Sequence, residues 1–126
     1  CKALGATSRY ARFMVEIPEC YEAGETVTLS LYAGMVTTVA SVSCTVDVEC
    51  YKINKITGIG LDLCTTSATT INSLVFAAKS FTITPSGLTA GDVLDVRLTI
   101  ACNDAATGTA VTPTIAGIDL LCDIKG

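Results

Sequence analysis

Histidine and tryptophan are absent from this 126-residue chain, and charge is scarce: 16% of residues are charged, against about 25% in an ordinary soluble domain. Without histidine there is no usual general base, no commonest transition-metal ligand and no usual partner for a Ser or Cys nucleophile, so triad hydrolysis is excluded. No apolar run approaches the roughly 20 residues that span a bilayer as a helix. Nothing near Cys1 resembles the apolar core of a signal peptide. No helical period is sustained anywhere along the chain, which removes the helix-opening phosphate loops as well: Gly58 and Gly60 lack a third glycine and a following helix.

Half of the residues are hydrophobic, and with so little charge to cover them much apolar surface is expected to meet another subunit. The formal charge of −4 disfavours a sequence-independent nucleic-acid binder, which needs a basic face to displace counterions. Charge is also uneven: Lys2, Arg9 and Arg12 precede every acid, and all twelve acids fall between Glu16 and Asp123. The sequence thus divides into a basic N-terminal arm, 1–12, and a body, 13–126.

The body alternates apolar and polar residues with the period of a strand. Phe13, Val15 and Ile17 alternate with Met14 and Glu16. Val27, Leu29 and Leu31 alternate with Thr28 and Ser30. Residues 42–51 and 94–102 keep strict alternation, turning Asp47, Glu49, Asp95, Arg97 and Thr99 outward, and a last strand is expected over 114–125. Less regular strands are expected at 60–64, 73–77 and 80–84. Turn signals lie at Ala33 and Gly34, at 54–58, at Pro85, Ser86 and Gly87, at Asn103 and Asp104, and at Gly108. About eight short antiparallel strands with punctuated turns make an all-β fold, a single β-sandwich of jelly-roll-like kind. An echo between residues 23–31 and 90–98, each a glycine followed by an acid and an alternating strand, suggests two related halves.

Seven cysteines are an odd number, with neither zinc-knuckle nor CxxC spacing. Cys44, Cys50, Cys102 and Cys122 share the parity of the buried aliphatics, as small buried thiols in a reducing cytoplasm do. The competing reading joins Cys44 or Cys50 to Cys102 or Cys122 between the two sheets. Cys1, Cys20 and Cys64 fall near loops or strand ends.

Asp47 with Glu49 and Asp92 with Asp95 are the candidate carboxylate pairs of the kind used in glycoside hydrolysis. The first pair fits a solvated strand face and Asp92 a turn. Glu19, Glu22 and Glu25 do not follow a calcium-loop pattern, so no metal or cofactor is expected, and no catalytic residue. Sugar-binding sandwiches use aromatic platforms; here only Tyr10, Tyr21, Tyr32 and Tyr51 are available, and Tyr32 and Tyr51 face outward, as subunit contacts often do.

Residues 81–98, FTITPSGLTAGDVLDVRL, then Asn103 and Asp104, then 118–126, IDLLCDIKG, resemble small β-sandwich proteins that decorate or cement tailed-bacteriophage capsids. The resemblance covers about the last third of the chain in strand and turn residues. It implies a non-enzymatic virion protein, often a homotrimer, that is assembled in the host cytoplasm and binds on the capsid surface between major capsid proteins. Lys2, Arg9, Tyr10, Arg12, Tyr32 and Tyr51 are the expected interface residues, with 1–12 as a docking arm against an acidic neighbour. The alternatives are a secreted sandwich subunit of an extracellular filament or adhesin, and a carbohydrate-binding module.

Overall fold

Alternation of this kind gives each strand one apolar face, and two sheets stacked on those faces bury them. The computed structural model describes residues 6–54, 58–105 and 111–124. It contains β1 (Ala6–Glu16), β2 (Val27–Val36), β3 (Ser43–Asn54), β4 (Gly58–Asp62), β5 (Thr69–Thr70), β6 (Ala77–Ile83), β7 (Val93–Asn103) and β8 (Thr112–Cys122). One sheet has the order β1-β7-β3-β4, with β5 also pairing with β3; the other has the order β6-β2-β8. All pairings are antiparallel. The protein is a β-sandwich, and no helix occurs among the described residues.

Val27, Leu29 and Leu31 from β2 and Phe81 and Ile83 from β6 meet Val46 and Val48 from β3 and Leu94, Val96 and Leu98 from β7 in one core. Each such side chain contributes about 1.5–3 kcal/mol when withdrawn from water. The layers are joined at two corners. Cys64 bridges to Ile83, and the Thr84 amide donates to the Leu63 carbonyl at 2.7 Å, linking the end of β4 to β6. Tyr21 bridges to Ile124, with the Glu22 amide donating to the Asp123 carbonyl at 3.1 Å, linking the chain after β1 to the end of β8.

The echo between the halves has a structural counterpart. Glu22–Ala23–Gly24–Glu25 and Thr89–Ala90–Gly91–Asp92 are the same turn: the fourth amide donates to the first carbonyl at 3.1 Å in both, and the glycines have φ of 90° and 84°. Positive φ at the third position is the type II arrangement, which favours glycine. The offset carrying Gly24 onto Gly91 also carries Val36, the last residue of β2, onto Asn103, the last of β7. Moreover β7 lies between β1 and β3, while β2 lies between β6 and β8. The triplets β1-β2-β3 and β6-β7-β8 are thus arranged alike, each giving its middle strand to the other's sheet.

Several sequence expectations need correction. The first strand begins at Ala6 rather than Phe13, so residues 6–12 belong to the sandwich and pair along β7 from Ala6 opposite Asn103 to Arg12 opposite Arg97. Residues 1–5, including Lys2, lie outside the described residues, as does Gly108. Ala33 and Gly34 sit inside β2, not in a turn. Gly34 is there because a Cβ would come within 2.9 Å of the Phe76 ring and 3.1 Å of the Ser73 carbonyl oxygen. The expected strand at 73–77 is a turn segment up to Phe76: the Ser73 amide donates to Ile71 and its hydroxyl accepts from the Val75 amide. The turn at Pro85 is present, closed by the Leu88 amide at 3.0 Å with Gly87 at φ 79°.

Candidate functional site

Two regions of the surface stand out, both involving β1. The first is the outer face of the larger sheet. Even-numbered residues of β1 point away from the core, and register brings Arg12 opposite Arg97 and Arg97 opposite Glu49; one row along, Met14 lies opposite Asp95 and Asp95 opposite Tyr51. Like charges directly opposite destabilise a sheet, and the carboxylate one row away resolves the conflict. Arg12 Nε donates to Asp95 Oδ1 at 2.7 Å, while Arg97 donates to Asp95 Oδ2 from Nε at 3.3 Å and from its terminal nitrogen at 3.2 Å. Asp95 is 0% exposed although it lies on the outer face, because the two guanidinium groups and the neighbouring rows cover it.

Arg97 also lies over the Tyr51 ring, 4.7 Å from the centroid, and the Tyr51 hydroxyl donates to Glu49 at 2.9 Å. The Arg12 hydrogen bond holds the Asp95 carboxyl below its ordinary range against the opposing effect of burial. The same bond raises Arg12. Tyr51 is raised first by its bond to Glu49. The result is a charged platform, ionised at neutral pH, beside a shallow depression of about 300 Å³ lined by Tyr10, Arg12, Glu49, Arg97 and Thr99.

Asp92 and Asp95 are tied into structure. Asp95 is held between two arginines. Asp92 accepts from the Thr89 amide at 2.8 Å and pairs with Lys52 at 3.1 Å; burial would raise it, but these contacts outweigh burial and lower it. Among the described residues no group of three His, Cys, Asp or Glu is placed to hold a metal ion.

The second region is the side of the sandwich where the layers part. Among the described residues β1 pairs only with β7, and β8 only with β2, so both leave an edge of N–H and C=O groups without a ladder partner. Between them is a cleft of about 150 Å³ lined by Arg9, Tyr10, Ala11, Leu98, Ile100 and Ile115. The strands beside it carry exposed apolar side chains: Tyr10 and Met14 on β1, Ile118 and Leu121 on β8, and Ile124 just beyond. Long edges of this kind are normally covered or charged.

No family model, curated protein or solved structure matches the chain.

The expected interface residues divide between the two regions. Arg12 and Tyr51 share the outer platform, Arg9 lines the cleft, and Tyr10 borders both the cleft and the depression beside the platform. Tyr32 is on the other sheet, its ring 6.0 Å from that of Phe76. Sequence reasoning missed Asp95 and Arg97 as parts of the platform, although their outward parity was legible; what it lacked was the register that places Arg12 beside them.

The cysteines follow their parity. Cys44, Cys50 and Cys102 are buried, Cys122 is half-buried, Cys64 is half-buried at the corner between sheets, and Cys20 is exposed. Burial pushes Cys50 up to about 12 and Cys102 up to about 11. Cys44, Cys50 and Cys102 all lie in the larger sheet, which corrects the expectation that Cys44 or Cys50 would meet Cys102 from the opposite layer.

Proposed function

We propose that this chain is a structural virion protein that decorates a tailed-bacteriophage capsid, stabilising it by binding as a homotrimer between major capsid proteins. The observation that carries the assembly role is the parted side of the sandwich, where two 11-residue strands, β1 and β8, border an apolar cleft with uncovered edges. Burying such a side against another subunit removes half-exposed aliphatics from water and completes the edge ladders. The sequence resemblance at 81–98 and 118–126 supports the capsid as the setting. The platform of Arg12, Asp95, Arg97 and Tyr51 adds a polar rim enriched in arginine and tyrosine, the residues that dominate interfaces.

The test is to add the purified protein to expanded capsids that lack decoration and to measure its mass in solution. A trimer that co-sediments with the shells, and an Ile115→Asp variant that keeps the β-sheet spectrum but leaves the shells bare, are expected. Failure of the folded parent chain to bind any such shell overturns the reading. A second reading, an exported filament or adhesin subunit, is favoured by the same uncovered β1 edge, since strand addition is how such subunits join; fibres forming from the chain alone would select it.

A further inference from the structure

We infer that Cys44 and Cys102 form a cross-strand disulfide within the larger sheet, a modification that covalently ties β3 to β7. Cys44 stands directly opposite Cys102 in the β3–β7 register. The Cys44 carbonyl accepts from the Ile71 amide at 2.9 Å and from the Thr70 hydroxyl at 3.4 Å, so its backbone polar groups face β5 and turn away from β7. The two cysteines are therefore a non-hydrogen-bonded pair, the kind in which Cα atoms approach to about 4.5 Å and side chains are closest. That spacing falls inside the roughly 4.4–6.8 Å span of natural disulfides. Both thiols are free and buried in the structure, and each perturbs the other's titration.

Specificity follows from register. Cys50, equally buried on the same strand, stands opposite Val96, so no thiol faces it across β7. Both Cys44 and Cys102 are sealed in the core, which confines bond formation to the folding chain or to transient opening of the sheet. The reaction breaks two S–H bonds and makes one S–S bond. Two electrons and two protons pass to a small-molecule disulfide such as oxidised glutathione, which leaves as two thiols. The bond joins β3 of the first strand triplet to β7 of the second. Because it closes a long loop, it restricts the unfolded chain more than the folded one.

The test is to refold the protein from denaturant in a buffer of reduced and oxidised glutathione, alkylate, and digest after acidic residues. Complete cleavage there puts each cysteine on its own peptide: 1–16 holds Cys1, 20–22 holds Cys20, 26–47 holds Cys44, 50–62 holds Cys50, 63–92 holds Cys64, 96–104 holds Cys102 and 120–123 holds Cys122. Peptides 26–47 and 96–104 are expected as one species, lighter by two hydrogens than their sum and separated by reduction. The oxidised protein should also unfold at higher urea than the reduced one; Cys50→Ala keeps that difference and Cys102→Ala abolishes it. Recovery of both peptides alkylated and separate, Cys44 joined to any other peptide, or a urea difference that survives in Cys102→Ala overturns the inference.

Discussion

Replacing Asp95 by asparagine tests the physical account of the outer platform. The substitution keeps the side chain's size but removes the one negative charge that separates Arg12 from Arg97, which face each other across β1 and β7. A hydrogen bond to an ionised partner contributes about 1.5–3 kcal/mol. Asparagine retains one acceptor, and the arginines are partly open to solvent, which screens the lost attraction; Asp95→Asn is therefore expected to cost about 2 kcal/mol at neutral pH. Urea unfolding should show a lower midpoint with an unchanged slope.

The pH dependence adds a sharper requirement. Asp95 is held low in the folded protein by the Arg12 hydrogen bond and then by Arg97, whereas an unfolded aspartate titrates near about 3.9. A carboxyl whose folded value is depressed stabilises fully above its unfolded value, and that contribution disappears as pH falls through the folded one. The gap between parent and variant should hold steady from about pH 7 to pH 5 and narrow only below about pH 4. Equal midpoints at neutral pH, or a gap already closed at pH 5, would refute the reasoning.

Leu98→Ala, in the core of β7, is expected to cost about 2–5 kcal/mol by urea titration. Gly34→Ala should destabilise by roughly 1–3 kcal/mol because its methyl meets the Phe76 ring; the cost should shrink in a Phe76→Ala background, and a double-mutant cycle measures the coupling. Gly91→Ala should cost about 1 kcal/mol through its positive φ of 84°. In the reduced, folded protein at mildly alkaline pH, a small alkylating reagent should label Cys20 quickly while Cys44, Cys50 and Cys102 stay unlabelled until denaturant is added, as mass spectrometry would show.

Much of the sandwich was legible because one face of each regular strand is buried, and burial imposes alternation. Residues 42–51 and 94–102 announced β3 and β7 within a few residues. The start of β1 was hidden for the same reason. Ala6–Arg12 lies at an edge where even the inward residues Arg9 and Ala11 are exposed, so no apolar period marks it and its charges suggested an arm. Gly34 misled because a glycine required by a close neighbour looks the same in sequence as one required by a turn. The tyrosines and arginines of the platform could be named singly, yet their assembly depended on β1 pairing with β7, a contact between chain ends that no local pattern encodes. The repeated turn at Gly24 and Gly91 was visible as an echo, but only strand order gave it a meaning.

That strand order has a consequence for how the molecule can come apart. Since β2 sits in the sheet built by β6 and β8, and β7 in the sheet built by β1 and β3, a chain severed after β5 would yield two pieces that each hold the margins of one layer and the spine of the other. Neither fragment can close on itself, so the two are expected to gain structure only when mixed. Two intact copies joined through the segment between β5 and β6 could satisfy the same requirement by trading fragments, a route to an interlocked dimer that needs no new contact surface.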